Sequence, residues 1–248
     1  MINDMDVTCF CPYHGRNWLV FEAVESFRRL KLDGIRAELL ILNDCTEQRL
    51  LCSVPNVRIV NSDVQFRTLS EKWNAGVEMA RGRWIAPWDD DDIVLPNRIE
   101  QSVSSIGDAP MYVNMWVWSM CHKRGVIDQI GRAWLCNGLF RRDAFLNAGG
   151  NDPDEWNDKS TFNKLKVNAV WQRDPDYDQI HYVYRWAGEM HDSGHSNKAE
   201  ERVIRFRKSV LSDQRFVSGD HEIIPWWSMD YELAVADAKQ RKVGIGDK

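Results

Sequence analysis

The first hundred residues alternate between short apolar runs and segments whose apolar residues recur at helical spacing. Residues 7–10 are a β-prone run. Over residues 17–30, Leu19, Val20, Ala23, Val24, Phe27 and Leu30 fall on one helical face, and Gly34 breaks the pattern. Residues 37–42 form a continuous apolar strand that runs into Asn43-Asp44-Cys45-Thr46, and residues 57–60 form a third strand. A helix is predicted over 69–80, with Trp73, Val77 and Ala80 inward and Gly82 closing it. A fourth strand over 83–88 delivers Asp89-Asp90-Asp91-Asp92 at its end. Pro96 then opens a helix with Ile99 and Val103 as apolar positions. Strands alternating with helices predict an α/β fold, a mostly parallel sheet flanked by helices on both faces. Ligands in such sheets gather at the carboxyl ends of strands.

The second half is less regular. Residues 111–119 read as one strand rich in Trp and Val, and 142–148 as a helix closed by Gly149-Gly150. Residues 156–165 read as helical and 182–186 as a short strand. A polar loop covers 188–197, and a charged helix follows over 198–211. Along that helix and just beyond it, Arg202, Arg205, Arg207, Lys208 and Arg215 are read as a solvated face, diluted by Glu200, Glu201 and Asp213.

Composition narrows the class. Of 248 residues, 44% are hydrophobic and 28% charged, which excludes a disordered or fibrous chain. A net charge of −5 argues against a general nucleic-acid binder. No apolar run reaches the ~18 residues of a membrane span. The acidic start lacks the pattern of a signal peptide, so a cytoplasmic location is expected. The cysteines at 9, 11, 45, 52, 121 and 136 contain no CxxC pair, against a disulfide framework or a zinc site. Most of the twelve tryptophans are expected to fill the core.

The acidic run carries the chemistry. In an extended segment Asp89 and Asp91 would point the same way, with Asp90 turned elsewhere. Crowded carboxylates need a cation to relieve their repulsion. A few hard oxygen ligands suit Mg2+ or Mn2+ shared with a diphosphate.

The stretch from Ala75 to Glu100, with Asn74 just before it, resembles the core of family 2 glycosyltransferases with the GT-A fold. It holds Asn74-Ala75-Gly76, then Ala80 and Gly82, an apolar strand, an Asp-x-Asp motif at Asp89 and Asp91, and Pro96. Cys11-Pro12-Tyr13-His14-Gly15-Arg16 resembles the family's first-strand Pro-Thr-Tyr-Asn-Arg segment, and Leu40–Thr46 its Val-Asp-Asp-Gly-Ser segment. Gly138–Gly150 is more loosely similar to the segment leading to the catalytic base. The resemblance implies a GT-A, Rossmann-like catalytic domain over 1–195 and a helical C-terminal extension over 196–248.

It also implies a metal-dependent transfer of a sugar from a nucleotide-diphosphate donor, a UDP-sugar by resemblance, to an acceptor hydroxyl with inversion. By resemblance Asp91 is the direct metal ligand and Asp89 lies at the metal or donor ribose; Asp90 could serve either. Asp44 would hold the donor base or ribose, Pro12 and Tyr13 would border the base, and Lys72 would lie near the diphosphate. Turn and exposed-helix roles are the plainer alternatives for Asp44 and Lys72. Asp158 is the implied base, with Glu155 as fallback, although Asn157 stands where the family often has Glu. His191 is the implied third metal ligand, with His195 as alternative. Asp92 is read as surface or structural. The acceptor, whether glycan, protein or modified nucleic acid, is left open. A rival is a haloacid-dehalogenase-type phosphatase, because Asp90-Asp91-Asp92-Ile93-Val94 fits its nucleophile loop. A second rival is an inactive nucleotide- or carbohydrate-binding module.

Overall fold

The computed structural model describes residues 5–121, 124–129, 135–154, 159–173, 180–185 and 199–243. Among them, β1 (Val7–Tyr13), α1 (Asn17–Arg28), β2 (Ala37–Asn43), β3 (Gln48–Leu51) and β4 (Val57–Asn61) come first. α2 (Leu69–Met79), β5 (Trp84–Pro87), β6 (Ile93–Val94) and α3 (Arg98–Ile106) follow. Next are β7 (Met111–Asn114), β8 (Trp116–Cys121), β9 (Arg124–Gln129), β10 (Gly138–Arg141), α4 (Arg142–Asn147) and α5 (Lys159–Leu165). The last are β11 (Val170–Gln172), β12 (Tyr182–Arg185), α6 (Ala199–Ser212), β13 (Gly219–Glu222) and α7 (Tyr231–Val243).

The main sheet has the order β11-β7-β10-β5-β1-β2-β4. Strands β5, β1, β2 and β4 run parallel, β10 is antiparallel to both neighbours, and β11 is parallel to β7. Alternation along β1 builds the two layers. Val7, Cys9, Cys11 and Tyr13 face the cluster holding Val20, Ala23, Val24 and Phe27 of α1. Phe10 faces the other side, with Trp73 and Val77 of α2. Cys9 and Cys11 thus share one buried face, as their spacing predicts.

A second sheet, β6-β12-β8-β9, packs with α7 into a third apolar cluster around Trp118, Val183 and Val235. The strand predicted over 111–119 is therefore two strands in two sheets. The break falls at Met115, and Asn114 Oδ1 accepts a hydrogen bond from the Trp116 amide there. Beyond residue 198 the chain holds more than the predicted helix. β13 pairs in parallel with β3, and α7 packs against the body. Trp73, Trp84, Trp88 and Trp118 are buried core.

Candidate active site

The carboxyl ends of β1, β2 and β5, three adjacent parallel strands, bring the chemistry together. The amide of Trp88, just past β5, donates to Phe10 O of β1, which pins the acidic turn beside the β1 loop. Trp88 is itself fully buried, and its indole N–H donates to Ala23 O.

The acidic run is a turn, not the extended segment that the i, i+2 argument assumed. Asp90, Asp91 and Asp92 are all buried, and Asp89 is partly exposed. Asp90 and Asp91 meet at Arg16. The guanidinium grips Asp90 through Nε (3.1 Å) and Nη2, and its Nη1 donates to Asp91 Oδ2 at 2.9 Å. Asp90 is thus turned to Arg16. Burial pushes its carboxyl up to about 6, against the pull of Arg16. Asp92 is structural: it accepts from Tyr182 Oη at 2.6 Å and from the Arg185 amide at 2.8 Å. Burial and the neighbouring Asp91 charge push it up to about 7.

Arg185 extends this support. Its Nε donates to Asp91 O, and its Nη1 pairs with Glu22 of α1. Glu22 also accepts from Tyr231 Oη of α7 at 3.1 Å. A buried network therefore fixes the main chain of the acidic turn.

Asp44, at the end of β2, is 3% exposed. His14 Nδ1 lies 2.8 Å and Lys72 Nζ 2.6 Å from its Oδ1; its Oδ2 accepts from the Phe66 amide and from Arg207 Nη2, both at 3.1 Å. Burial alone would raise this carboxyl. The Lys72 charge and the His14 hydrogen bond instead hold it well below the usual range. Lys72 is 4% exposed, so it is not the exposed helix lysine weighed as its alternative. Its Nζ also donates to Tyr13 O. Tyr13 lies at the expected border but turns its ring into the core, where its hydroxyl donates to Gln48 Oε1; only its carbonyl faces Lys72. Pro12 is half-buried, opposite Leu42 in the β1–β2 register.

The expected solvated basic face holds for Arg205, Lys208 and Arg215, which are exposed, and fails at Arg207. Arg207 reaches Asp44 and Phe66 O, and Phe206 lies over the Arg16 guanidinium (5.4 Å) and the His14 ring (6.0 Å). Gly15 permits this approach. It has φ +70°, and a Cβ there would stand 2.8 Å from Val210 of α6. The sequence alone does not mark Arg16, His14, Arg207 or Phe206 as site residues. For Arg16 a signal existed, since it closes the Pro12–Arg16 segment. For Arg207 there was none, because its contact with Asp44 joins residues 163 positions apart. Asp158, Glu155, His191 and His195 lie outside the described residues.

Hard carboxylate oxygens at Asp91 and Asp89 are the right donors for Mg2+ or Mn2+, and Asp91 keeps some access to solvent. Among the described residues no group of three or more His, Cys, Asp or Glu could hold a metal by itself. The described donors therefore fit a metal held by one or two carboxylates and completed by a ligand's phosphates.

The glycosyl transferase family 2 profile matches residues 10–149, more than half of the chain. The succinoglycan biosynthesis protein ExoO of Rhizobium meliloti (strain 1021) is 32% identical over 103 residues. That match covers 40% of this chain and 29% of the length of ExoO. Among solved structures, S. aureus TarS 1–349 in complex with UDP-GlcNAc superposes with a TM-score of 0.60 at 12% identity. It covers 85% of this chain and 68% of that one. The mannosyltransferase PcManGT from Pyrobaculum calidifontis, in complex with GDP-Man and Mn2+, superposes with a TM-score of 0.50 at 14% identity. That match covers 73% of this chain and 57% of the other. The likeness to these structures establishes the GT-A fold predicted from the sequence. No described helix is long and apolar enough to cross a membrane.

Proposed function

Because the chain belongs to glycosyltransferase family 2, we propose that it transfers a sugar from a nucleotide-diphosphate donor, held with Mn2+ or Mg2+ at Asp91 and Asp89, to an acceptor hydroxyl with inversion. The observation that carries this reading is the buried acidic turn at the carboxyl end of β5, set beside Arg16 and the Asp44–Lys72 pair. When bound, the metal supplies charge stabilisation for the departing diphosphate. The residues of this chain do the rest. Arg185 and Tyr182 hold the turn in place through Asp91 O and Asp92. Lys72 and Arg207 bring positive charge to the end of β2, where both pair with Asp44. Asp158 is the proposed base and His191 the proposed third metal ligand, on resemblance alone. The proposed donor is a UDP-sugar, on the same ground. Residues 1–195 are the proposed catalytic domain, and 196–248 the extension whose helix α6 covers it.

The test is nucleotide release from a panel of UDP- and GDP-sugars, with and without Mn2+, by the wild type and Asp91→Asn. Release from one donor is expected to depend on metal and to fall about 10²-fold or more in Asp91→Asn. Metal-dependent nucleotide binding without release would favour a binding module. Neither binding nor release would sink the reading.

A further inference from the structure

We propose that Arg16 is a positioning residue that couples metal binding to donor binding: its guanidinium holds Asp91 before the donor arrives and passes to the donor's diphosphate when the metal takes Asp91. This inference rests on the metal and donor reading above. The geometry is specific. Arg16 makes a two-point grip on Asp90 through Nε and Nη2, while Nη1 alone reaches Asp91 Oδ2 at 2.9 Å. Asp90 is 1% exposed, and the Arg16 side chain is 13% exposed. Among the described contacts, the grip on Asp90 is thus the anchored half, and the Nη1 bond to Asp91 is the half that can be exchanged.

A guanidinium and a divalent cation on one carboxylate would place like charges a few ångströms apart, in a buried setting where screening is weak. Before the donor arrives, Arg16 is shared between Asp90 and Asp91; the trio keeps a net negative charge, but Nη1 competes with a metal for Asp91 Oδ2. A diphosphate changes the balance. It offers Nη1 a new anionic oxygen and offers the metal further ligands. Phe206 of α6 lies over the guanidinium. With Nε and Nη2 kept on Asp90 the guanidinium stays in place, and Nη1 can exchange Asp91 for a donor oxygen that arrives beside it. Metal and nucleotide should each raise the affinity for the other by one common factor, as linkage requires.

The experiment measures Mn2+ binding by electron paramagnetic resonance, with and without UDP or GDP, corrected for Mn2+–nucleotide complexes in solution. It compares the wild type with Arg16→Gln and Arg16→Lys. Wild type should bind Mn2+ at least ten times more tightly with nucleotide than without it. Arg16→Gln should bind Mn2+ alone about ten times more tightly than wild type, bind nucleotide alone about ten times more weakly, and lose most of the coupling. Arg16→Lys, which keeps the charge but not the fork, should fall between them. These opposite movements separate exchange from a merely structural role, which would weaken both ligands together.

Asp90 left without its partner is a threat to folding, so Arg16→Gln/Asp90→Asn is measured beside it, with circular dichroism melts of every protein. Weaker or unchanged binding of Mn2+ alone by a folded Arg16→Gln or double variant overturns the proposal, as does uncoupled binding in wild type. Folded wild type that binds neither Mn2+ nor nucleotide fails the donor reading itself, a separate outcome.

Discussion

Asp44 and Lys72 show how far single residues can be read. The family resemblance marks them as donor-side candidates, yet their burial and mutual contact come from packing α2 against the end of β2. Lys72 is one of four donors on Asp44, and both groups are almost wholly buried. Lys72→Met should leave a buried carboxylate short of its main counter-charge and cost about 3 kcal/mol. Urea denaturation at pH 7 checks this.

The same scale sets the acid response. His181 is fully buried, its Nδ1 is 2.7 Å from Gln101 Oε1, and burial lowers its pKa from 6.5 to about 3. The unfolded chain therefore takes up this proton first. The stability it contributes is present above pH 6.5 and is lost as pH falls toward about 3. Asp44, whose value is also depressed, adds a loss that begins only below the ordinary carboxylate value of 3.8. His181→Gln should thus show a smaller fall in urea midpoint between pH 7 and pH 5 than wild type. Equal falls would refute the assignment.

At the scale of elements, periodicity located β1, α1, β2, β4, α2, β5 and α3 within a few residues. The helices carry an apolar face at 3.6-residue spacing, whereas β2 and β5 are short continuous runs buried at every position. Periodicity missed β3 and β13, four residues each: the buried–exposed alternation of β3 is too short to read, and β13 is largely exposed. It also joined β7 to β8, because both are rich in apolar residues and the turn of the chain at Met115 leaves no local mark. The packing of α2 on β1 rests on Gly76. A Cβ there would lie 2.0 Å from the Phe10 ring, which is fully buried and edge-on to Trp73. Gly76→Ala should cost about 2 kcal/mol and lower Tm by roughly 4–8 °C, read from thermal melts.

At the scale of the whole molecule, one buried cluster ties α1, the second sheet and α7 to the acidic turn. Glu22 and Arg185 form an ion pair, Tyr231 donates to Glu22, and Arg185 donates to Asp91 O. Glu22→Leu removes one charge and strands the other. It should destabilise the fold by about 3–5 kcal/mol. Weaker metal-dependent UDP binding should accompany that loss, because the main chain of the acidic turn loses its brace. Denaturation and UDP titration on one preparation test whether the two effects travel together.

The sequence by itself determined the α/β class, the strand ends where chemistry gathers, the family motifs, and the candidacy of Asp44, Lys72, Asp89, Asp90 and Asp91. These are local properties: periodicity, turn-forming residues and short spacings are written in consecutive positions. Tertiary structure alone decided which groups meet. It turned Asp90 and Asp91 onto Arg16, surrounded Asp44 with His14, Lys72 and Arg207, and laid α6 across the site. Those pairings join residues 28 to 163 positions apart. They form because burying a charge demands a partner of opposite sign wherever along the chain that partner lies.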